Sequence, residues 1–190
     1  MLCPYRIGMD TDLVKRAQRG DSEAFTCLAS ALGTRFLAVS NRILGDIGLA
    51  EDATQQALLS IWRDLPKLRD PARFEAWSYR LLVRACYAEG HRGRLWAPNL
   101  HLLPVDEPMA VDDTSSVLDR DQLERAFRHL SVKHRSVLVL HHYLDLSPDE
   151  IAEALDVPVG TISSRLHYAL RAMRLALDAD AAPTPLEAAR

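Results

Sequence analysis

The sequence lacks any apolar run near the roughly eighteen residues needed to cross a bilayer, and its opening Met1-Leu-Cys-Pro-Tyr-Arg-Ile-Gly8 lacks a signal peptide's apolar segment. Membrane insertion is not expected, and a cytoplasmic setting is. Only three cysteines occur, Cys3, Cys27 and Cys86, odd in number and far apart, so neither a disulfide framework nor a zinc knuckle is favoured. They read as small apolar residues. Basic residues hold no majority: 23 Lys and Arg stand against 26 Asp and Glu, a net charge of -3. A generally adhesive nucleic-acid binder is thereby excluded, and any DNA contact must come from local basic faces, with help from a partner. No Gly-rich phosphate loop, nucleophile motif or catalytic carboxylate pair is recognisable, so no enzymatic activity, small-molecule substrate or cofactor is expected. His129, His134, His141 and His142 form the one histidine group. His134 and His141 share a face, but no carboxylate or cysteine stands near them at ligand spacing, and no metal site is expected. Strand-like alternation persists nowhere, which leaves an all-α fold.

What is present centres on residues 147–171. Ser147, Pro148 and Glu150 have capping-box spacing with proline at the first helical position, and Ile151, Ala152 and Leu155 follow at helical period. Asp156-Val157-Pro158 interrupts. Ile162, Leu166, Ala169 and Leu170 then resume the period. Two short amphipathic helices joined by a tight turn have the size of a helix-turn-helix, whose second helix enters the major groove. An ordinary packed helix pair fits the same pattern. If the second helix reads duplex DNA, Ile162, Leu166 and Leu170 pack inward. Ser163, Ser164, His167 and Arg171, with Arg165 nearby, then face the duplex.

Upstream, Leu13, Val14 and Ala17 mark a short helix between Asp10 and Gly20. Asp21 or Ser22 caps a second, with Phe25, Leu28, Leu32, Phe36, Val39 and Ile43 as its apolar stripe up to Gly45. A third runs from about Leu49 to Leu65, with Ala53, Ala57, Leu58 and Ile61 inward and Pro66 as its stop. Asp70-Pro71 opens a fourth, carrying Phe74, Trp77, Leu81, Leu82 and Ala85 towards Gly90. Residues 10–94 thus make a four-helix domain. Pro98, Pro104, Pro108 and the acids Asp106, Glu107, Asp112 and Asp113 mark 95–118 as a flexible linker. Residues 119–178 make a second four-helix domain, with Leu123, Ala126, Phe127 and Leu130 on one face of its first helix and the helix-turn-helix last. The Ala/Pro-rich 179–190 reads as a disordered tail. The fold class is two small helical domains joined by a flexible linker.

An aromatic and basic cluster lies between Trp62 and Arg94. Aromatic faces stack on unpaired bases while arginines hold the backbone, as in single-strand binding. Because Phe74, Trp77 and Leu81 sit at core spacing, the contact candidates are Tyr79, Arg80, Arg84 and Tyr87. The lesser alternative for Arg84 is a solvated arginine beside Glu89.

Several stretches resemble the extracytoplasmic-function (ECF) sigma factors of bacterial RNA polymerase. They are Leu49-Ala-Glu-Asp-Ala-Thr-Gln-Gln-Ala-Leu-Leu-Ser-Ile-Trp-Arg63, Phe74-Glu-Ala-Trp77, Leu130-Ser-Val-Lys-His-Arg-Ser-Val-Leu138, Ile151-Ala152 and Val159-Gly-Thr-Ile-Ser-Ser-Arg165. The resemblance spans roughly Asp10 to Leu177. It implies that the helix with Asp52, Gln55, Gln56 and Trp62 docks on core RNA polymerase, and that the helix after Pro71 captures the unwound −10 strand of promoter DNA. It also implies that the helix-turn-helix reads the −35 duplex and that an anti-sigma factor is a further partner. The family often has Glu at Gln56, Asn at Arg84, Pro at Ser131 and a basic residue at Ser163, differences that bear on promoter sequence. The alternative is a helix-turn-helix regulator of the same fold that does not act in initiation, for which the first domain would be superfluous.

If 95–118 is a linker with few apolar anchors, limited proteolysis of the free chain should cut there first. Earlier cleavage within residues 49–65 would contradict the domain boundary.

Overall fold

A computed structural model describes residues 10–96 and 118–181. Helices α1 (Thr11–Gln18), α2 (Ser22–Leu44), α3 (Ile47–Asp64) and α4 (Phe74–Trp96) form one lobe. Helices α5 (Leu118–His129), α6 (Val132–Leu138), α7 (Pro148–Leu155) and α8 (Val159–Ala181) form the other. No strand occurs among the described residues. The expected linker falls outside them except at its ends, where α4 continues to Trp96 and α5 starts at Leu118. Of the expected tail only 179–181 is described, as the end of α8.

Local side chains set the helix boundaries. Asp10, Asp21, Asp46 and Asp70 each accept a backbone N–H at the start of the helix or helical turn that follows. Each thereby satisfies a donor that the first turn leaves without a partner. Because Asp46 accepts from the Leu49 N–H, α3 begins at Ile47, two residues earlier than apolar periodicity indicates. Gly45 takes the left-handed conformation, φ 70°, that closes α2. Ser147 and Glu150 form a reciprocal capping box at α7, and Asp156 ends that helix at φ 58°. Between α6 and α7 the chain passes through a wide turn over Val139–Tyr143. The Nδ1 of His141 lies 2.7 Å from the Leu146 carbonyl, which engages this ring with the backbone.

The core of the first lobe is built from Val14, Leu28, Leu32, Phe36, Ile61, Phe74 and Leu82, all essentially inaccessible. That of the second is built from Leu140, Ile151, Ile162 and Ala169. Two expected core positions lie elsewhere. Ala169 takes the inward site after Leu166, which turns Leu170 outward at 40% exposure, and Leu123 is 46% exposed on α5.

The buried cluster is continuous from one lobe into the other. The lobes are therefore not separate bodies sharing only a tether, the picture that the polar 95–118 stretch invites. Helix α4 lies against both α6 and α7, and α2 against α6. Arg80 of α4 donates from Nε to the Ala154 carbonyl (3.0 Å) and from Nη2 to the Glu153 carbonyl (2.8 Å), at the C-terminal end of α7. Arg135 of α6 donates to the Leu44 carbonyl (3.2 Å), at the C-terminal end of α2. Each lobe thus lends an arginine to a helix terminus of the other, where the last carbonyls keep acceptor capacity and the helix dipole favours a cation. The Arg42 guanidinium also stacks over the Tyr143 ring at 3.8 Å.

Tyr79 shows what this double packing does to α4. It is 2% exposed, its ring tilts against Phe36 at 5.6 Å, and its hydroxyl is buried near Arg35 without a well-formed hydrogen bond. Burial raises its pKa to about 12. Removing an unsatisfied hydroxyl relieves a desolvation cost, so Tyr79→Phe should leave stability unchanged or raise it by about 1 kcal/mol, whereas Tyr79→Ala should lose about 3–5 kcal/mol. Urea unfolding of both variants checks this. Equal losses would show that the hydroxyl, not the ring, matters.

Candidate polymerase and nucleic-acid interface

On α3 the apolar residues Ala53, Ala57 and Ile61 point into the core, which places Asp52, Gln55 and Gln56 outside and exposed. Beside them the surface opens into a hollow of about 380 Å³ between α2 and α3, lined chiefly by Phe25, Leu37, Leu58, Leu59 and Trp62. Trp62 and Leu59 are 50% and 55% exposed, and Trp62 meets Phe25 edge-on with ring centroids 4.6 Å apart. Two large apolar side chains half in water beside uncommitted polar groups are the composition of a protein-binding surface. Leu59 and Phe25 were not among the sequence candidates. Leu59 stands off the apolar stripe of its helix, and that displacement is the signal that could have found it.

The four α4 candidates separate. Arg84 is exposed and has no hydrogen bond or ion pair with a described residue. Glu89, its suggested neighbour, is 3% exposed and pairs with Arg92 at 2.7 Å. Arg80 is engaged by α7 and lies 3.5 Å from the Asp156 carboxylate. Tyr79 is core, so in this arrangement it offers no face to a base. Tyr87 is half-buried at the seam between the lobes, its hydroxyl enclosed without a well-formed hydrogen bond, and burial raises its pKa. Both tyrosines miss the surface for one reason: α4 is covered on two sides, whereas its sequence pattern shows one apolar stripe.

Near the start of α4 a polar cleft of about 430 Å³ runs between the lobes, lined by Arg69, Arg73, Trp77, Arg80 and Glu153 among others. Trp77, expected in the core, is only partly buried and borders this cleft. Arg73 reaches Glu153 of α7 at 3.4 Å, an exposed pair worth little by itself. Arg69 and Arg73 fall within the aromatic and basic stretch from Trp62 to Arg94 but are not among its contact candidates.

On α8, Ser163, Ser164, His167 and Arg171 are exposed, and Tyr168, 58% exposed, joins them. The serine hydroxyls donate back along the helix, Ser163 to the Val159 carbonyl (3.1 Å) and Ser164 to the Gly160 carbonyl (2.8 Å). Their oxygens keep acceptor capacity towards an outside donor. Arg165 is half-buried and turned towards the seam. There its charge lies near Tyr87 and near His134, whose pKa is lowered first by burial and then by that charge. The structure therefore brings Ser163, Ser164, His167 and Arg171 onto one open face and sets Arg165 apart.

Comparison with known proteins gives this geometry a family. Residues 28–92 match Sigma-70 region 2, and residues 120–173 match Sigma-70 region 4. The chain is 33% identical over 139 residues to the ECF RNA polymerase sigma factor SigL of Mycobacterium tuberculosis, covering 72% of this chain and 78% of that one. It is 29% identical over 182 residues to the RNA polymerase sigma-H factor of Pseudomonas aeruginosa, covering 88% and 93%. Among solved structures, CnrH in complex with the cytosolic domain of CnrY shares the fold with a TM-score of 0.65 at 21% identity, over 90% of this chain and 98% of that chain. RpoE bound to the anti-sigma factor NepR from Bartonella quintana shares it at 0.60 and 18% identity, over 81% and 96%. With both halves matched in order and a relative of this similarity, the chain belongs to the extracytoplasmic-function family of RNA polymerase sigma factors.

Proposed function

We propose that this sigma factor, which binds core RNA polymerase and directs transcription initiation at promoter DNA, divides the work among three faces. The outer face of α3, with Asp52, Gln55 and Gln56 beside the Trp62 hollow, docks on the polymerase. The exposed part of α4 around Arg84, with Arg80 once it is released, holds the unwound −10 strand. The open face of α8, with Ser163, Ser164, His167 and Arg171, reads the −35 duplex, and Arg165 joins it when the lobes separate. On this reading residues 10–94 are the polymerase and −10 domain, 119–178 the −35 domain, 95–118 the linker and 179–190 the tail. Tyr79 is a core residue that positions α4, and Tyr87 reaches a base only after the lobes part. No chemistry is assigned to the chain itself. Among the described residues no helix is long and apolar enough to cross a membrane, in keeping with a working place beside the polymerase. The two solved relatives, one held by CnrY and the other by NepR, support an anti-sigma factor as a partner here too.

One observation carries the polymerase assignment: Asp52, Gln55 and Gln56 are exposed beside an open apolar hollow and none serves the core. Leaving a buried polar partner unpaired costs about 1–3 kcal/mol, so Asp52→Lys should weaken core binding roughly 5- to 150-fold while the helical spectrum is unchanged. Competition for core polymerase against the parent protein measures this. Undiminished competition by the folded variant would rule the face out.

Arg84 offers only donors and a stacking plane, where the family's asparagine offers donor and acceptor to one base edge. Transcription from promoters randomised through the −10 element, compared with Arg84→Ala, separates its roles. Loss of preference at one position is the expected outcome. A uniform fall across sequences would indicate a phosphate contact, and an unchanged profile would remove Arg84 from the site.

A further inference from the structure

We infer that Tyr168 is a base-reading residue, and that together with Ser164 it tunes the open face of α8 to neighbouring A·T pairs instead of to guanine. This preference rests on α8 being the helix that reads the −35 duplex, and it names the bases that helix selects.

Tyr168 is 58% exposed, the most exposed large apolar or aromatic side chain among the described residues. Packing does not require it, because the inward side of α8 is filled by Ile162, Leu166 and Ala169. Its ring meets that of His167 edge-on, with centroids 5.9 Å apart. Tyr168 comes four residues after Ser164 and three before Arg171, so the three side chains lie along one line of the helix, on the side left open.

The hydroxyls beside it set what that line can pair with. Ser164 donates to the Gly160 carbonyl at 2.8 Å and Ser163 to the Val159 carbonyl at 3.1 Å, so each turns an acceptor oxygen outward. In the major groove the donors are the exocyclic amines of adenine and cytosine, whereas guanine shows two acceptors. A serine can therefore serve adenine or cytosine with its own bond kept, and guanine only by giving that bond up. The apolar group of the same groove is the thymine methyl, which takes contact from an aromatic ring. An A·T pair presents both amine and methyl, and a G·C pair has no methyl. Ser164 and Tyr168 are one helical turn apart, roughly 6 Å at 1.5 Å per residue, against about 3.4 Å between base pairs, so they reach neighbouring pairs. An adenine amine under Ser164 and a thymine methyl under Tyr168 satisfy both side chains as the structure presents them.

Holoenzyme assembled from core polymerase and the full-length chain tests this, by selecting duplexes from a library randomised through the −35 element and then binding the selected duplex with single thymines replaced by uracil, which lacks only the methyl. The parent should select neighbouring A·T pairs. One uracil should weaken the parent and Tyr168→Phe roughly 4-fold, the worth of one methyl-sized group kept from water, and leave Tyr168→Ala unaffected. Ser164→Ala should lose the preference for adenine at the neighbouring pair. Selection of guanine at these positions would overturn the proposal, as would a Tyr168→Ala protein that still loses affinity to uracil. A Tyr168→Phe protein weakened equally on every sequence would also overturn it, since the hydroxyl would then be holding a phosphate. Ser163→Ala, His167→Ala and Arg171→Ala separate the two levels. If any of these shifts the −35 selection while Tyr168→Ala does not, the −35 helix stands and the role of Tyr168 falls. If no substitution on α8 changes the selection, the −35 reading falls and takes this preference with it.

Discussion

Two helix C-termini in this molecule, those of α7 and α2, draw a cation from the opposite lobe. The last carbonyls of α7 take Arg80 from α4, and the last carbonyls of α2 take Arg135 from α6. Hydrogen bonds from a charged donor to such carbonyls are worth about 1.5–3 kcal/mol each when sheltered from water, and less where solvent reaches them. With Arg80 about a quarter exposed, the lower part of that range applies at α7. The two caps point in opposite directions across one seam, so they fix the rotation of the lobes as well as their contact. Leu44 and Val132 are buried where the lobes meet beside Gly90.

On the proposed assignment α4 has two roles that cannot be filled at once. As the wall between the lobes it buries Tyr79, Val83 and Cys86 and supplies Arg80 to α7. Burial of Cys86 lifts its thiol to about 11, so the residue behaves as an apolar filler near Ser40, as its isolation in the sequence indicates. As a nucleic-acid surface α4 needs the same arginines free. The proposed polymerase face of α3 carries no such conflict, because among the described residues no helix of the second lobe packs extensively on α3. On the proposed assignment, polymerase can be met through α3 while the α4 surface is still covered.

Much of this was legible in the sequence, for reasons tied to particular residues. Aspartates before helices and the Ser147–Glu150 box are local signals, and they fixed boundaries to within two residues. The placement of Ser163, Ser164, His167 and Arg171 on one face followed from helical geometry alone. Tyr79 and Tyr87 could not be placed that way. Their burial comes from contacts with α2 and with a lobe distant in sequence, and a single apolar stripe cannot show that a helix has two neighbours. Arg80 reads from sequence only as a nucleic-acid contact until the end of α7 is brought to it. Leu170 and Leu123 were misplaced because three-four spacing defines a stripe wide enough to hold more residues than the core admits.

The central claim, that Arg80 is bound to the end of α7 in the free protein, is open to direct measurement through its side-chain Nε–H. In the full-length chain, nitrogen-15 spectroscopy of the arginine Nε–H groups should show the Arg80 proton exchanging with water much more slowly than that of the exposed Arg84. That difference should disappear when the lobes are separated by mild denaturant. Equal, fast exchange at Arg80 and Arg84 in the native protein would contradict the account.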